Sequence, residues 1–161
     1  NNPPANARIE LDNGTVFRTN DAGYVEEITY RPVDSPVFGI TGDGRLTEGV
    51  AGDVGGHIQA CRHGGTCDRF NLFPQNSNSN NSGYRQWENE ITRAMQNGDD
   101  VGAVTVRFDR SSPNSARPDA VRIEYSINGV QETRRFIIKL EAVNDPIEEQ
   151  SELIDKLYWL V

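Results

Sequence analysis

The sequence predicts an α+β fold, in which an antiparallel β-sheet carries a central helix and a C-terminal helix. The apolar fraction is only 35% and the 161 residues are rich in Gly, Asn and Asp, a composition that favours short strands and long turns over a helical bundle. Apolar residues alternate with polar ones along several short runs, and they recur at helical spacing in two segments. A chain of this length is expected to form a single domain, residues 1–161.

Three β-prone runs follow a linker-like lead-in at residues 1–7, whose Asn-Asn-Pro-Pro opening is typical of a module cut from a longer protein. Turns of Asn, Asp and Gly separate the runs, because these residues tolerate positive φ. We therefore expect an N-terminal meander with strands at Arg8–Leu11, Thr15–Thr19 and Tyr24–Tyr30. The following segment, residues 31–52, is rich in Pro and Gly and is expected to be a connecting loop.

The central stretch, residues 53–97, contains both histidines and both cysteines of the chain. His57 follows two glycines, which let the backbone turn sharply and leave space beside the imidazole. The residues after His57 indicate the start of a strand. The run NLFPQ (71–75) then predicts a fixed turn with its apolar pair buried. From this turn the amides of Asn71 and Gln75 would project, to order a neighbouring loop or to hold waters on a metal.

A helix is expected after the Asn-rich loop NSNSNN (76–81), because apolar residues recur there on one helical face and Asn97-Gly98 supplies a C-cap. The face consists of Tyr84, Trp87, Ile91 and Met95. Glu88 lies on the margin of that face. Its carboxylate is therefore expected to be partly shielded and to point toward the loop from which the helix emerges.

The remaining residues predict the rest of the sheet and a final helix. The expected strands are Val101–Phe108, Val121–Asn128 and Glu132–Leu140. A polar turn at residues 111–118 separates the first two, and Asn128-Gly129 is a strong hairpin signal between the last two. The segment Pro146–Val161 begins with Pro and acidic residues, and its leucines recur at helical spacing, so it predicts a helix packed on the sheet.

The order of motifs in the central stretch is specific. It is Gly-Gly-His, then N-L-x-P-Q, then an Asn five residues after the Gln, then Trp-Glu at the start of a helix. This order resembles the DNA/RNA non-specific endonucleases of the ββα-metal (His-Me finger) superfamily, and in particular the branch found as C-terminal toxin modules of bacterial secreted effectors. The resemblance covers Asp53–Arg93 and makes residues 53–97 the expected active-site ββα core.

The resemblance implies an Mg²⁺-dependent phosphodiester hydrolase, with Mn²⁺ able to substitute. His57 matches the general base that deprotonates the attacking water, and an imidazole of ordinary pKa suits that task at neutral pH. Asn80 matches the single side-chain ligand of the metal. Glu88 matches the carboxylate that hydrogen-bonds water on that metal. Mg²⁺ retains several waters, so few protein ligands suffice.

Further positions follow from the same resemblance. Asn71 and Gln75 match the polar corner that steadies the metal loop, and Arg62 matches an arginine after the His strand, assigned here as catalytic. Cys61 stands where an acidic residue is common, and Val-Gly-Gly replaces the Asp-Arg-Gly that often precedes the histidine. The phosphate-binding arginine of that motif is therefore absent. The cations left to meet transition-state charge are Arg62, Arg85 and Arg93.

The charge pattern bears on partners. The net charge of −8 argues against indiscriminate adhesion to nucleic acid. Residues 101–140 nevertheless carry 7 basic against 4 acidic groups, which leaves room for a locally basic face, and the acidic ends of the chain could equally dock a basic partner. No run approaches the roughly 18 apolar residues of a membrane span. The resemblance implies a nucleic acid substrate, a cognate immunity protein as inhibitor, and delivery within a larger secreted effector that acts in the cytoplasm of the target cell.

Three questions remain open from the sequence. Cys61 and Cys67 form either a small-loop disulfide or a reduced pair. Together with His57 and His63 they also form a possible tetrahedral Zn²⁺ set, in which case the protein would be a non-catalytic, zinc- or disulfide-stabilised secreted binding module. The same nuclease fold could also serve as a nutritional or defence enzyme rather than a toxin.

Overall fold

The computed structural model describes residues 3–35, 53–66, 71–76 and 83–138. These residues form eight strands, one α-helix and one turn of 3-10 helix at Cys61–His63. The strands are β1 Arg8–Glu10, β2 Val16–Thr19, β3 Val25–Tyr30, β4 Asp53–His57, β5 Leu72–Asn76, β6 Val104–Asp109, β7 Ala120–Ile127 and β8 Val130–Ile137, and the helix is α1 Gly83–Gln96.

Six of these strands form one antiparallel sheet, in the order β1-β2-β3-β6-β7-β8. The predicted N-terminal meander is confirmed as β1 to β3. Its two turns place Gly14 and Gly23 at φ +84° and +82°, in the left-handed region that glycine enters without steric cost. β3 then pairs with β6, so the whole segment from β4 to α1 is inserted between two neighbouring strands.

The predicted hairpin at Asn128-Gly129 is also confirmed. Asn128 and Gly129 have φ values of +51° and +79°, the two successive positive values of a type I′ turn. The Asn128 side chain donates to the Asp99 carboxylate at 3.0 Å and accepts the Asp100 amide at 2.8 Å. These bonds fasten the hairpin to the residues that follow α1.

The β4–β5 ribbon corrects two expectations. The strand at His57 precedes the histidine and ends at it, whereas a strand starting there was expected. The NLFPQ run is not a turn, because residues 72–76 form β5, antiparallel to β4. Pro74 lies opposite Gly55, at a place in a two-stranded ribbon where the missing N–H is tolerated. Phe73 is buried as expected, while Leu72 is only partly buried.

The helix packs on the inner face of the large sheet, as the apolar spacing predicts. Trp87 and Ile91 are fully buried, and the Trp87 ring meets the Tyr125 ring of β7 edge-on at 5.7 Å. Arg134 of β8 bonds Glu90 of the helix at 2.7 Å. The expected C-cap is present, since Gly98 has φ +81° and donates to the Met95 carbonyl at 3.1 Å.

The predicted C-terminal helix, Pro146–Val161, lies outside the described residues, as does most of the predicted connecting loop. In the part of the chain that is described, α1 is too short and too polar to cross a membrane.

Candidate active site

His57 occupies the last position of β4, where it pairs with Leu72 across the ribbon. The imidazole is half-buried, and its Nε2 lies 3.4 Å from the Sγ of Cys61. Burial lowers the pKa of His57 below 6.5, because leaving water disfavours the imidazolium. The ring is therefore neutral at pH 7, the form that can accept a proton.

The turn after His57 is held by Asn71, which is 1% exposed. The Asn71 side chain accepts the Gln59 amide at 3.0 Å and donates to the carbonyls of Gln59 and Thr66 at 2.9 and 2.6 Å. Its backbone carbonyl also accepts the Ile58 amide at 2.8 Å. Asn71 thus fixes both ends of the segment that carries Cys61. Gln75 lies in β5 opposite Val54, and its side chain is outside the described part of the structure.

Glu88 lies on α1 and is half-buried. Burial raises the pKa of Glu88 to about 8, and the guanidinium of Arg85 acts in the opposite direction. The charge of Glu88 in turn adds to the effect of burial, and together they hold the pKa of Tyr30 and of Tyr84 well above 10. The Tyr84 hydroxyl, one turn earlier on the helix, donates to the carbonyl of Ile58, the residue after His57. The helix that carries Glu88 is therefore in direct contact with the turn that begins at His57.

The donor chemistry at Glu88 fits a divalent cation. Within the described residues, none of the hydrogen bonds involves the Glu88 carboxylate, so its charge has only the nearby Arg85 to balance it. A shielded carboxylate with few partners is stabilised by a hard cation, and carboxylate and amide oxygens are the ligands Mg²⁺ prefers. Asn80, the predicted amide ligand, lies outside the described residues.

Arg62 is exposed in the 3-10 turn, with its Nε 3.7 Å from the Asp34 carboxylate. Its backbone carbonyl accepts the Ser35 amide at 2.9 Å. The other two candidate cations, Arg85 and Arg93, project from exposed positions of α1. The three candidates thus come from two elements that meet at the turn after His57.

The predicted zinc set is not assembled by its described members. His63 is 1% exposed and turns its Nε2 to the Thr92 hydroxyl at 2.8 Å, away from the pair formed by His57 and Cys61. In the described ranges no three His, Cys, Asp or Glu side chains converge on one point. Cys67, the fourth member and the predicted disulfide partner of Cys61, lies outside those ranges.

Three residues near His57 have contacts that the sequence did not indicate. Cys61 faces the imidazole, and His63 and Thr92 bond each other between the turn and the helix. The sequence offered one hint of these contacts, namely that Cys61 follows His57 by four residues and that Thr92 follows Glu88 by four. A spacing of four places residues together within a helix, but it does not reveal contacts between elements.

A two-stranded ribbon ending in a histidine, followed by a helix with a shielded glutamate, defines the ββα-metal nuclease fold. The family model described as DNA/RNA non-specific endonuclease matches residues 41–129, and the chain belongs to this family. The resemblance seen in the sequence is thereby confirmed.

Solved structures show the same fold. NucA from Streptococcus agalactiae with magnesium ion bound superposes with a TM-score of 0.66 at 12% identity, over 87% of this chain and 76% of NucA. NucA with no metal bound gives 0.63 at 13% identity, over 86% and 77%. Among curated proteins, the type VII secretion system protein EssD of Staphylococcus aureus (strain USA300) is 28% identical over 148 residues. That match covers 84% of this chain and 23% of EssD, so the chain spans about a quarter of the length of this relative.

Proposed function

We propose that this nuclease hydrolyses phosphodiester bonds of DNA or RNA with His57 as general base and a Mg²⁺ ion held by Asn80 and Glu88, with Mn²⁺ able to substitute. The observation that carries the proposal is the contact between the turn that begins at His57 and the helix that carries the shielded Glu88. The magnesium present in one NucA structure supports the choice of metal.

In the proposed reaction His57 takes a proton from the attacking water. With Nε2 facing the Cys61 sulfur, Nδ1 is the ring nitrogen left to accept that proton. The lowered pKa keeps the ring unprotonated before attack. When bound, Mg²⁺ stabilises the charge that develops on the departing 3′-oxygen. The products are expected to carry 5′-phosphate and 3′-hydroxyl ends.

The polar residues proposed around His57 and the metal would bind the metal or the substrate. Asn80 would offer its amide oxygen as the ligand, and Glu88 would supply negative charge once deprotonated. Asn71 and Gln75 would steady the loop that carries Asn80. Arg62 is proposed to contact the scissile phosphate by exchanging its 3.7 Å contact with Asp34 for the substrate. A guanidinium suits this exchange because phosphate accepts its paired donors.

We further propose that the chain is the toxin module of a secreted bacterial effector that acts in the cytoplasm of a target cell. The similarity to a type VII secretion system protein supports export, and the short coverage of that relative agrees with a module in a longer protein. A nuclease made by a cell with its own DNA and RNA needs restraint, so a cognate immunity protein is the expected partner.

The test is digestion of duplex DNA and of RNA in the presence of Mg²⁺, Mn²⁺ or chelator. We expect cleavage with either metal and none with chelator. His57→Ala should remove at least 10²-fold of the rate while its melting temperature stays close to that of the parent, consistent with loss of a general base. Equal cleavage by His57→Ala and parent would overturn the assignment of the base. Tightly held zinc without activity would instead favour a binding module.

A second variant tests the metal ligand. Asn80→Ala should weaken Mn²⁺ binding, measured by electron paramagnetic resonance, and should lower the cleavage rate with it. Unchanged Mn²⁺ affinity would remove Asn80 from the metal site while leaving the nuclease activity itself standing.

A further inference from the structure

Two hydrogen bonds tie the turn after His57 to α1, one on each side of Glu88. Tyr84 donates to the Ile58 carbonyl, and Thr92 shares a 2.8 Å hydrogen bond with Nε2 of His63. Tyr84, Glu88 and Thr92 follow each other at intervals of four, so they lie on one face of the helix. Glu88 is thus the middle residue of a row whose two ends are bonded to the turn.

Both bonds are shielded from water. Tyr84 is 2% exposed, Ile58 1%, His63 1% and Thr92 4%. Nδ1 of His63 is buried without a partner, so in the described residues the Thr92 hydroxyl is the group that holds this ring. A buried hydrogen bond of this kind is costly to break, because neither group can turn to water instead.

The turn between the two anchor points is itself stiff. The Gln59 side chain donates to the His63 carbonyl at 2.9 Å, and the His63 amide donates to the Ala60 carbonyl at 2.9 Å. Residues 58–63 therefore behave as one rigid piece with two attachments. At 1.5 Å of rise per residue, the attachments at positions 84 and 92 are about 12 Å apart along the helix axis.

We propose that these two hydrogen bonds form a clamp that fixes the distance and angle between His57 and Glu88, so that Tyr84, His63 and Thr92 are positioning residues of the hydrolysis. One bond alone would leave the helix free to pivot on the turn, whereas two bonds spaced along the axis stop that rotation. A misplacement of about 1 Å can cost on the order of 10²-fold in rate. The inference rests on the function proposed above, since it assigns the clamp to that pair.

Thr92 offers the sharpest test, because two substitutions separate its hydroxyl from its shape. Thr92→Val keeps the shape and removes the hydrogen bond, while Thr92→Ser keeps the hydroxyl. At a temperature where all variants are folded, we expect Thr92→Val to lower kcat by about 10-fold or more with KM within about 2-fold, and Thr92→Ser to restore kcat. Thr19→Val is the matched control, since Thr19 is another buried threonine whose hydroxyl bonds the Pro4 carbonyl at 2.6 Å, outside the clamp.

Substitutions at Tyr84 provide a second test of the clamp. Tyr84→Phe should lower kcat, and the double variant with Thr92→Val should lose less than the product of the two single effects, because loss of either bond already leaves the helix free to pivot. Tyr125→Phe is its control, as that buried phenol donates to Glu132 instead. Multiplicative effects of the two variants would overturn the paired clamp.

A readout independent of cleavage separates this inference from the function on which it rests. The ¹⁵N signals of the His57 imidazole should be single and sharp in the parent, Thr92→Ser and Thr19→Val, and broadened or doubled in Thr92→Val. If the parent cleaves no nucleic acid but the signals behave this way, the clamp stands and the proposed function falls. If Thr92→Val has the kcat and the His57 signals of the parent, the clamp is wrong.

Discussion

At the scale of single residues, the described contact of the His57 ring is to a weakly polar group, the thiol of Cys61. The Cys61 sulfur at 3.4 Å is a poorer acceptor than a carboxylate oxygen, so it orients the ring without strongly favouring the imidazolium. This agrees with the lowered pKa of His57, since a carboxylate in the same place would raise that pKa. The family resemblance places an acidic residue at this position in many relatives, so the thiol would tune the proposed base differently.

Cys61→Ala should lower kcat by about 3- to 10-fold, because the tautomer of His57 is no longer selected. Cys61→Asp should restore the orientation and shift the acid limb of the kcat/KM profile to higher pH, since the carboxylate favours the protonated ring. The measurement is kcat/KM for cleavage between pH 5 and 9, whose acid limb gives the pKa of the general base in the free enzyme. A profile for Cys61→Asp that coincides with that of the parent would contradict this role.

Glu88→Gln should trade activity for stability. The pKa of Glu88 rises from 4.5 in the unfolded chain to about 8 in the folded protein, so stability present at low pH is lost as pH rises through 8 in the absence of metal. Glutamine does not ionise and escapes that loss. We expect the variant to be more stable at pH 9 by about 1–3 kcal/mol, the scale of an unpaired buried polar group.

Urea unfolding at pH 6 and pH 9, both with chelator, measures this difference. The same variant should show a partial loss of cleavage and need more Mg²⁺ for half its maximal rate. Equal unfolding free energies of parent and Glu88→Gln at pH 9 would show that burial of the ionised Glu88 carboxylate does not destabilise the fold.

The sequence placed His57 and Glu88 on the right kinds of element through the order of motifs around them. It did not reveal that His63 and Thr92 bond each other. That contact joins residues 29 positions apart on two elements, and it depends on how α1 sits against the turn. Residue types and local spacing carry no information about such packing.

At the scale of elements, the β4–β5 ribbon shows where local rules mislead. Pro74 predicts a turn, yet it lies within a strand. Proline is tolerated in a strand where its nitrogen faces away from the partner, and only the three-dimensional arrangement reveals that this strand is at an edge. The turns at Gly23 and at Asn128-Gly129 were predictable because their backbone demands are met within a few residues.

Phe73 holds this ribbon on the core. It is 2% exposed, and its ring lies 5.1 Å from that of Phe108 and 6.3 Å from that of Tyr84. Phe73→Ala should therefore cost about 3–5 kcal/mol of unfolding free energy and loosen the strand opposite His57. Leu72→Ala, at a partly buried neighbour, is the control and should cost clearly less. Similar losses for the two variants, measured by urea unfolding, would contradict this anchoring role.

His63 should make the link between turn and helix sensitive to acid. Burial lowers the pKa of His63 from 6.5 to about 4, with Arg62 adding to the effect, so the unfolded chain binds a proton that the folded chain refuses. Stability is therefore complete above pH 6.5 and falls as pH drops toward 4. The loss amounts to about 3 kcal/mol at 1.36 kcal/mol per pKa unit.

His63→Gln removes that proton-binding group. Although its unfolding free energy should be lower at pH 7, it should change less between pH 7 and pH 4 than that of the parent. A parallel decline in the unfolding free energies of the two proteins over this range would show that His63 is not the group responsible.

At the scale of the whole molecule, one row of charged residues crosses the outer face of the large sheet. Register pairing aligns one residue from each strand, and five of the six are arginines. The row is Arg8, Arg18, Glu27, Arg107, Arg122 and Arg135. The neighbouring carboxylates Glu10, Glu124 and Asp109 complete the ion pairs. The locally basic face that the composition of residues 101–140 left room for is therefore largely neutralised at the surface of this sheet.

Such exposed pairs contribute little individually. Arg107 makes the most contacts of the row, to Glu27 and Glu124, and its side chain is 37% exposed. Arg107→Met should change the unfolding free energy by no more than about 1 kcal/mol, and 1 M salt should reduce that difference. A loss of several kcal/mol would mean that the network acts as a unit rather than as separate pairs.

The pairing of β3 with β6 could not be predicted from the sequence. These strands are separated by the whole ribbon and helix, so their register, such as Tyr30 opposite Val104, follows from packing around α1. The identity of each strand could be predicted from alternation and turn chemistry, whereas the order of the strands depends on which faces are buried together.

Pro74 also limits how copies of this protein can meet. A narrow ribbon offers unpaired backbone groups along its outer side, which invite strands from other molecules to add on and begin insoluble assemblies. With no amide hydrogen at the centre of β5, that side lacks a donor where an incoming strand would need one. An incoming strand would therefore find no backbone donor at Pro74, so this position of the ribbon disfavours edge-to-edge pairing between copies of the protein.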